Sequence, residues 1–316
     1  MKMLRLFFFT LVGLMTLEGL ANGENDPKKQ PRQGVRRIVI DAGHGGSDPG
    51  ARGRYSTEKD ICLAISLRLE QMLKQEMPDV DIYMTRKTDI FDPVTVKARM
   101  ANEAKGDLFV SIHVNSAEGI RHRELSHYET RTVRNSKGKK ITKKVPVYRT
   151  WTSPNPAKGT ETFIWGNNKN EEKLGAMQEN ENLYLDSVSA RELADFDPYD
   201  PVKFQLYSLK SKQYFERSAL LAMTVEEEFQ KFGRISRKAQ QRQKGIWVLH
   251  AVAMPAVLIE TGFISNPEEE DYLNSEQGQI EICTAIVRAL KRYKFSLENK
   301  SSNSQSSISP AKGGQR

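Results

Sequence analysis

Two histidines and two glutamates are the side chains of this 316-residue chain whose types and positions could support catalysis. His44 lies in a glycine-rich segment after an apolar run, and Glu58 opens the helical pattern that follows. His113 and Glu260 each stand at the end of another apolar run. Two neutral imidazoles and one carboxylate make a catalytic Zn²⁺ site with a fourth position for water. The second carboxylate would be the general base, a role for which Glu260 is the natural candidate. The pattern thus predicts metal-assisted hydrolysis of an amide.

Each of these side chains, taken singly, also has an ordinary structural interpretation. A histidine at a strand end is usually structural, and Glu58 is a first-turn glutamate of the kind that the helix dipole favours. The glycine-rich segment 43–50 lacks both the Gly-Lys-Ser/Thr ending of a P-loop and the spacing of a dinucleotide turn. The prediction therefore depends on the joint occurrence of all four side chains. The remaining histidines are predicted to be structural: His122, His127 and His250.

The elements that must position the four side chains alternate between strands and helices. Strands are predicted at 38–40, 80–84, 108–112, 161–165 and 257–260. Helices are predicted from Ser56 or Thr57, from 92–93, over 170–186 and 206–232, from a capping box at Asn266-Pro267 with Glu269, and over 276–293. This order predicts an α/β fold, a mostly parallel twisted sheet with helices on both faces, in a single catalytic domain over 36–295. Three of the four side chains then lie at carboxyl ends of strands, where open α/β sheets bind ligands.

Both ends of the chain are predicted to lie outside this domain. Lys2 and Arg5 precede the apolar run 6–15, and the small residues Gly19 and Ala21 follow it, as in a cleavable signal peptide. We therefore expect a signal peptide over 1–21, a polar linker over 22–35 and export to the periplasm, with no stable membrane anchor after cleavage. The alternative is that the run is retained as an anchor. The Ser-, Asn- and Gln-rich segment 296–316 is predicted to be a disordered tail.

Composition excludes several classes of protein. Apolar residues make up 38% and charged residues 28%, which is typical of a soluble globular protein and not of a polytopic membrane protein. Cys62 and Cys283 are the only cysteines, so the chain is not a disulfide-stapled mini-protein. Both lie in apolar helical patterns far apart in the sequence, and we expect two buried thiols and no bridge.

The net charge of +8 is concentrated in one segment. Residues 117–158 contain eleven Lys and Arg against three Glu, and they lack a regular helical or strand period. Basic stretches can indicate nucleic acid, but for an exported chain we predict no nucleic-acid partner. We expect a solvated insertion, with contact to an anionic surface such as the cell envelope as the alternative.

Four motifs, in the same order along the chain, resemble those of the zinc-dependent N-acetylmuramoyl-L-alanine amidases, cell-wall hydrolases of the amidase_3 type. They are IDAGHGGSDPGA at 40–51, EK at 58–59, SIHVN at 111–115 and IETGFISN at 259–266, and the likeness spans about 36–293.

This resemblance implies what the residues alone did not. It implies His44, Glu58 and His113 as the ligands of one Zn²⁺, and Glu260 as the catalytic acid and base. It also implies the substrate, peptidoglycan, cut at the amide between the lactyl group of N-acetylmuramic acid and L-alanine of the stem peptide. Among physiological roles, it favours daughter-cell separation.

Two segments depart from the family pattern. The insertion 117–158 is longer than expected, and 168–214 is enlarged and contains the acidic run 192–200. Some relatives carry a helix near this point that covers the zinc until a partner removes it. Our hypothesis is that an acidic side chain such as Glu179 or Glu181 blocks the open zinc position and that an envelope activator protein releases it. An ordinary amphipathic surface helix is the alternative. We see no segment resembling a cell-wall-binding module, so we expect targeting to come from the catalytic domain or a partner.

Two other functions stay open from the sequence. A non-catalytic envelope protein could keep the fold and bind wall fragments, although none of the four side chains is lost here. A zinc peptidase that cuts within the stem peptide fits the residue pattern equally well without the resemblance.

Overall fold

The computed structural model describes residues 34–134, 136–179, 201–242 and 246–306. The predicted signal peptide 1–21, most of the predicted linker 22–35 and the end of the predicted tail lie outside them. Val35, inside the predicted linker, is buried in the core.

Seven helices and eight strands make up the described part of the chain. The strands are β1 Arg37–Ala42, β2 Asp81–Met84, β3 Leu108–Asn115, β4 Ile120–Arg134, β5 Lys140–Ser153, β6 Thr160–Trp165, β7 Ser236–Arg242 and β8 Ala256–Phe263. The helices are α1 Glu58–Glu76, α2 Val94–Glu103, α3 Asn170–Glu179, α4 Pro201–Lys231, α5 Trp247–Ala251, α6 Pro267–Asn274 and α7 Glu276–Ser306, with a 3₁₀ turn at Asn167–Lys169.

Six strands form one twisted sheet in the order β2-β1-β3-β8-β6-β7. All neighbours pair in parallel except β6 and β8, which are antiparallel. One face packs apolar residues such as Ile40 and Val110 against α1, α4 and α7. The other packs Val39, Phe109 and Trp165 against α2 and α5. The prediction of an α/β fold with helices on both faces is confirmed.

The basic insertion contains the element that departs most from the sequence prediction. Residues 120–153 form an antiparallel hairpin, β4–β5, where we predicted no regular period. Most of its side chains are exposed, on both faces. Because neither face packs on a core, no alternation of apolar and polar residues is required, and the strand pattern is absent from the sequence.

Three smaller differences from the sequence prediction concern two unpredicted elements, the end of one helix and the cap of another. The short elements β7 and α5 were not predicted. Helix α7 continues to Ser306, past residue 296 where the tail was predicted to begin. At α6, the Asn266 side chain accepts from the Glu268 N–H as predicted. However, Glu269 does not complete the capping box, because its carboxylate binds Arg234 at 2.7 Å and the Gly159 N–H at 3.1 Å.

Cys62 and Cys283 are both buried and free, as the sequence predicted. No described helix is both long and apolar enough to span a bilayer.

A buried lysine fixes α3 against the rest of the domain. Lys173 is fully buried and donates to the backbone carbonyls of Leu249 and Met254, at 2.9 and 2.8 Å, and to that of Val252. Its ammonium also lies 4.4 Å from the ring centroid of Trp165. The enlarged segment 168–214 therefore begins from an anchored helix that contacts the chain entering β8.

A second buried charge fixes the loop before α1. The Glu270 carboxylate, on α6, accepts from the N–H groups of Arg54, Tyr55 and Ser56 at 2.8 to 3.0 Å, and from the Ser56 hydroxyl at 2.8 Å. Burial raises the pKa of Glu270, but these donors outweigh it and lower the pKa to about 2. Since Glu58 follows this loop directly, Glu270 sets where α1 starts.

We expect Glu270→Gln to lower the free energy of unfolding by about 2–3 kcal/mol at neutral pH, because the charge-assisted bonds to the loop are lost. The pKa of Glu270 is depressed in the folded state. Its contribution is therefore complete above its ordinary pKa of 4.5 and is lost as the pH falls towards about 2. Denaturant unfolding from pH 6 to pH 3.5 should show the gap between wild type and variant narrowing below about pH 4.5. Glu268→Gln, an exposed change on the same helix, is the control and should stay within about 0.5 kcal/mol. A gap that is constant with pH would contradict this role.

Candidate metal centre and active site

Three neighbouring strands bring the predicted site residues to one edge of the sheet. The chain leaves β1 into the loop that carries His44, and β3 carries His113 near its carboxyl end. In the ladder between β3 and β8, His113 lies opposite Glu260. Helix α1, which starts at Glu58, begins at this same edge, because its first carboxylate contacts both histidines.

His44, Glu58 and His113 form a cluster with the composition of a metal site. One ligand atom from each lies within 4.8 Å of the others, and no other such group occurs in the described part of the chain. Glu58 Oε2 is 3.1 Å from His44 Nε2, and Glu58 Oε1 is 2.9 Å from His113 Nδ1. The two imidazole rings meet edge to face at 5.0 Å.

Backbone and side-chain donors hold these ligands in place. Glu58 is buried, and its two oxygens accept from the N–H groups of Ala51 at 2.9 Å and Val114 at 3.1 Å. The other ring nitrogen of His44, Nδ1, lies 2.8 Å from Asp48 Oδ2. Such a carboxylate contact fixes the orientation of the ring and leaves Nε2 directed at the cluster.

Close packing around the cluster explains two of the glycines. A Cβ on Gly43 would lie 2.6 Å from His113 Cε1, and one on Gly50 would lie 2.6 Å from Glu58 Oε2. Gly50 has a φ of +63°, and His44 itself has a φ of +57°, which is uncommon for a residue with a side chain. The loop thus holds His44 in a strained conformation, a feature often found at functional sites.

Two buried cations support the backbone of this loop. Arg86 donates to the carbonyls of Ala42 at 3.1 Å and Gly43 at 2.7 Å. Lys97 donates to Ala42 at 2.6 Å and pairs with Asp41 at 3.0 Å. Arg86 and Lys97 lie outside the four quoted motifs, so these contacts could not be predicted from the sequence.

Contacts within the cluster shift the pKa values of the histidine and the glutamate in opposite directions. Burial lowers the pKa of His44, but hydrogen bonds and charge from Glu58 and Asp48 outweigh it and raise the pKa to about 9. Burial raises the pKa of Glu58, and the two histidines outweigh it, so the pKa lies well below the usual glutamate range. Glu58 therefore remains an anion, which is the form that a metal ligand requires.

Glu260 lies in a different environment from Glu58. It is only 7% exposed, and its Oε2 atom has no hydrogen-bond partner among the described residues. Burial and the Glu58 charge raise its pKa, His113 opposes them, and the result is about 7. A carboxyl group with such a pKa can both accept and release a proton near neutral pH.

A carboxylate that was not predicted from the sequence, Glu161, lies beside Glu260. Glu161, on β6, is paired with Glu260 in the ladder and accepts from Asn115 at 2.8 Å and from Arg237 at 2.5 Å. Asn115 lies within a quoted motif, but Arg237 comes from β7, a strand whose existence was not predicted. Only the tertiary structure brings these three together.

The residues predicted to be structural lie away from the cluster. His122 and His127 are on the hairpin, where His122 stacks on Trp151 at 5.2 Å. His250 is buried on α5, 3.8 Å from Glu172.

The structure does not test the two glutamates of the blocking hypothesis. Glu179 is the last residue of α3, and Glu181 lies outside the described residues. The blocking hypothesis therefore stays a prediction.

The donor set fits Zn²⁺. Two imidazoles and a carboxylate converge, and the carboxylate is ionised. The second carboxyl group, Glu260, lies beside the cluster, and its Oε2 atom has no hydrogen-bond partner in the described part of the chain. Three protein ligands with a fourth position left for water or substrate are the arrangement of catalytic zinc sites.

Comparison with known proteins gives a consistent result. The family model described as N-acetylmuramoyl-L-alanine amidase, Amidase_3, matches residues 38–292. The chain is 32% identical over 270 residues to the N-acetylmuramoyl-L-alanine amidase AmiC of Escherichia coli O6:H1, covering 84% of this chain and 55% of that protein. It is 28% identical over 287 residues to AmiA of Escherichia coli K12, covering 90% and 85%. The chain thus spans about half the length of AmiC and most of AmiA.

Solved structures share the fold. The N-acetylmuramoyl-L-alanine amidase from Clostridium difficile 630 superposes with a TM-score of 0.53 at 22% identity, covering 82% of this chain and 97% of that one. The CwlD amidase from Clostridioides difficile, solved in complex with the GerS lipoprotein, gives 0.50 at 22% identity, covering 82% and 98%. The family match over most of the domain, the AmiC relative and the clustered site residues lead to one conclusion: the chain belongs to the N-acetylmuramoyl-L-alanine amidase family of hydrolases, Amidase_3.

Proposed function

We propose that the protein is a zinc-dependent N-acetylmuramoyl-L-alanine amidase that hydrolyses the amide between the lactyl group of N-acetylmuramic acid and L-alanine of the stem peptide in peptidoglycan. The observation that carries the proposal is the cluster of His44, Glu58 and His113 beside the buried Glu260. The substrate is supported by the family and by the names of its relatives.

His44, Glu58 and His113 would hold the ion. When bound, Zn²⁺ would supply Lewis acidity, which polarises an amide carbonyl and lowers the pKa of water. Asp48, Ala51 and Val114 hold His44 and Glu58 in the orientation that the site requires.

Glu260 would move the proton. Its carboxylate accepts a proton from the water that adds to the carbonyl carbon, and then delivers it to the amide nitrogen as the carbon–nitrogen bond breaks. The products are the lactyl carboxylate and the free amine of the stem peptide. The absence of a hydrogen-bond donor on Glu260 Oε2 among the described residues leaves that oxygen available for this transfer.

The two alternative functions differ in what they require. A non-catalytic wall-binding protein has no need of an ionised buried glutamate between two histidines, or of a second buried carboxylate beside them. The clustered geometry therefore favours the enzyme. A peptidase that cuts within the stem would use the same centre, and only the family relationship favours the lactyl amide.

We also propose export to the periplasm and a role in daughter-cell separation. Export is supported by the basic, apolar and small-residue pattern of 1–21, which lies outside the described residues. An envelope activator protein is a further part of the proposal. The structure of the related CwlD with a lipoprotein is a precedent for such a complex within the fold.

Glu260→Gln and His113→Ala separate the proton-transfer role from the metal-binding role. Glu260→Gln should bind one zinc ion per chain and lose about 10²- to 10⁴-fold in activity, because only the proton carrier is removed. His113→Ala should lose zinc and activity together. Zinc content by mass spectrometry and turnover of a soluble muropeptide give the two readouts. Near-normal turnover by Glu260→Gln would contradict its role, and full zinc occupancy in His113→Ala would place the ligand elsewhere.

We further propose that Glu179 or Glu181 blocks the open metal position. The double variant Glu179→Ala/Glu181→Ala should then be several-fold more active than wild type without an activator, because the competing carboxylate is gone. Glu192→Ala/Asp195→Ala removes the same charge from the same segment and should leave activity unchanged. Equal activities of the double variant and wild type in the muropeptide assay would contradict the blocking role.

A further inference from the structure

Both ends of the basic hairpin join the sheet at the edge that carries His113 and Glu260, which we call the catalytic edge. Residues 116–119 join β4 to the end of β3, and residues 154–159 join β5 to β6. The Ala117 N–H donates to the Ser265 hydroxyl at 2.9 Å, which fixes the base of the hairpin beside the end of β8. The hairpin thus projects from the rim on which His113 and Glu260 lie.

The register of the hairpin separates its charges onto two faces. Paired residues share a face, and successive residues of β5 alternate between the faces. The face that includes Tyr148 contains five cations and no acidic residue, and we call it the cationic face. Its cations are Arg121, Arg123, Arg134, Lys140 and Lys144. The opposite face has the cations Arg131, Lys143 and Arg149 together with Glu124 and Glu129.

The cations of the two faces also differ in their partners. Among the described residues, none of the five cations of the cationic face forms an ion pair, whereas Arg131 on the opposite face pairs with Glu129 at 2.8 Å. Arg123 stacks over the ring of Tyr148 at 3.6 Å, and Tyr128, on the same face, is 60% exposed. The cationic face therefore presents charge and aromatic surface to solvent.

The shape of this surface suits an extended polymer. Strand β4 has 15 residues, which corresponds to a length of roughly 50 Å. A two-stranded ribbon is only marginally stable in water without another layer. A long, acid-free ladder that starts at the catalytic edge is complementary to a chain on which negative charges recur.

We propose that the cationic face binds carboxylates of stem peptides on the peptidoglycan strands next to the bond that is cut. The inference rests on the proposed function, which makes peptidoglycan the polymer at this edge. Each contact between exposed charges is weak, but several act together on one insoluble substrate. Small soluble fragments reach the catalytic centre without the hairpin, so the face should matter for intact wall and not for them.

Binding is best measured in the full mature chain with Glu260→Gln, which prevents digestion. Into it we would introduce Arg121→Gln, Arg123→Gln and Lys144→Gln. The matched control is Arg131→Gln, Lys143→Gln and Arg149→Gln, which removes the same number of charges from the opposite face. Co-sedimentation with purified insoluble peptidoglycan should show about tenfold weaker binding for the cationic-face variant and at most about twofold for the control.

Two further arms identify the interaction. Arg121→Lys with Arg123→Lys keeps the charge and should retain binding, which would attribute the loss in the cationic-face variant to the missing charge and not to the lost stacking of Arg123 on Tyr148. High salt, or peptidoglycan whose carboxylates have been converted to neutral amides, should remove the difference between wild type and variant. The wild type should bind peptidoglycan more tightly than it binds vesicles that contain anionic lipid.

The proposal is overturned by equal losses in both triple variants, by unchanged binding in the cationic-face variant, or by preferential binding to the vesicles. Its failure is distinguishable from that of the proposed function. With Glu260 intact, the cationic-face variant should cleave a soluble muropeptide at the wild-type rate. If neither the wild type nor the unblocked variant Glu179→Ala/Glu181→Ala cleaves it, the proposed function fails, whereas the co-sedimentation result still decides whether the cationic face binds the wall.

Discussion

The carboxylate of Glu58, buried between two imidazoles, is the contact on which the rest of the site depends. It lies 3.1 Å from His44 and 2.9 Å from His113, and it also accepts two backbone N–H groups. A buried anion is unfavourable unless it is paired and hydrogen-bonded, so the elements around it must be accurately placed. The parallel pairing of β1 with β3 supplies the histidines, and Glu270 fixes the loop from which Glu58 emerges. Glu260 contrasts with Glu58, because it is similarly buried but its Oε2 atom has no hydrogen-bond partner among the described residues, and burial raises its pKa to about 7.

Much of this could be predicted from the sequence, for physical reasons that differ between elements. The parallel core strands are continuous apolar runs, and three of the predicted site residues, His44, His113 and Glu260, lie at or just after the ends of those runs, so their common edge follows from the α/β pattern. The hairpin could not be found in this way, since neither of its faces is buried. Strand β7 is short, polar and at the edge of the sheet, and it leaves an equally weak signal. Because β7 was not predicted from the sequence, the contact of Arg237 with Glu161 could not be predicted either.

Polar contacts of the catalytic edge were the least predictable part of the site. Glu269 has the spacing of a capping-box residue, yet its carboxylate accepts hydrogen bonds from Arg234 and from the Gly159 N–H instead of capping the helix. Arg86 and Lys97 come from segments distant in sequence and meet only at the carbonyls of the His44 loop. Local patterns fix which residues can ionise or accept hydrogen bonds, whereas the pairing of those residues is decided by the packed structure.

We propose that the cluster of His44, Glu58 and His113 holds the metal ion on which cleavage of the lactyl amide depends. To test this, purified peptidoglycan is digested by the mature protein with zinc or with a chelator, and the products are identified by mass spectrometry. We expect free, full-length stem peptides and glycan strands with intact lactyl groups, and loss of both products on chelation. Shortened stems, or the same products in the presence of the chelator, would contradict it.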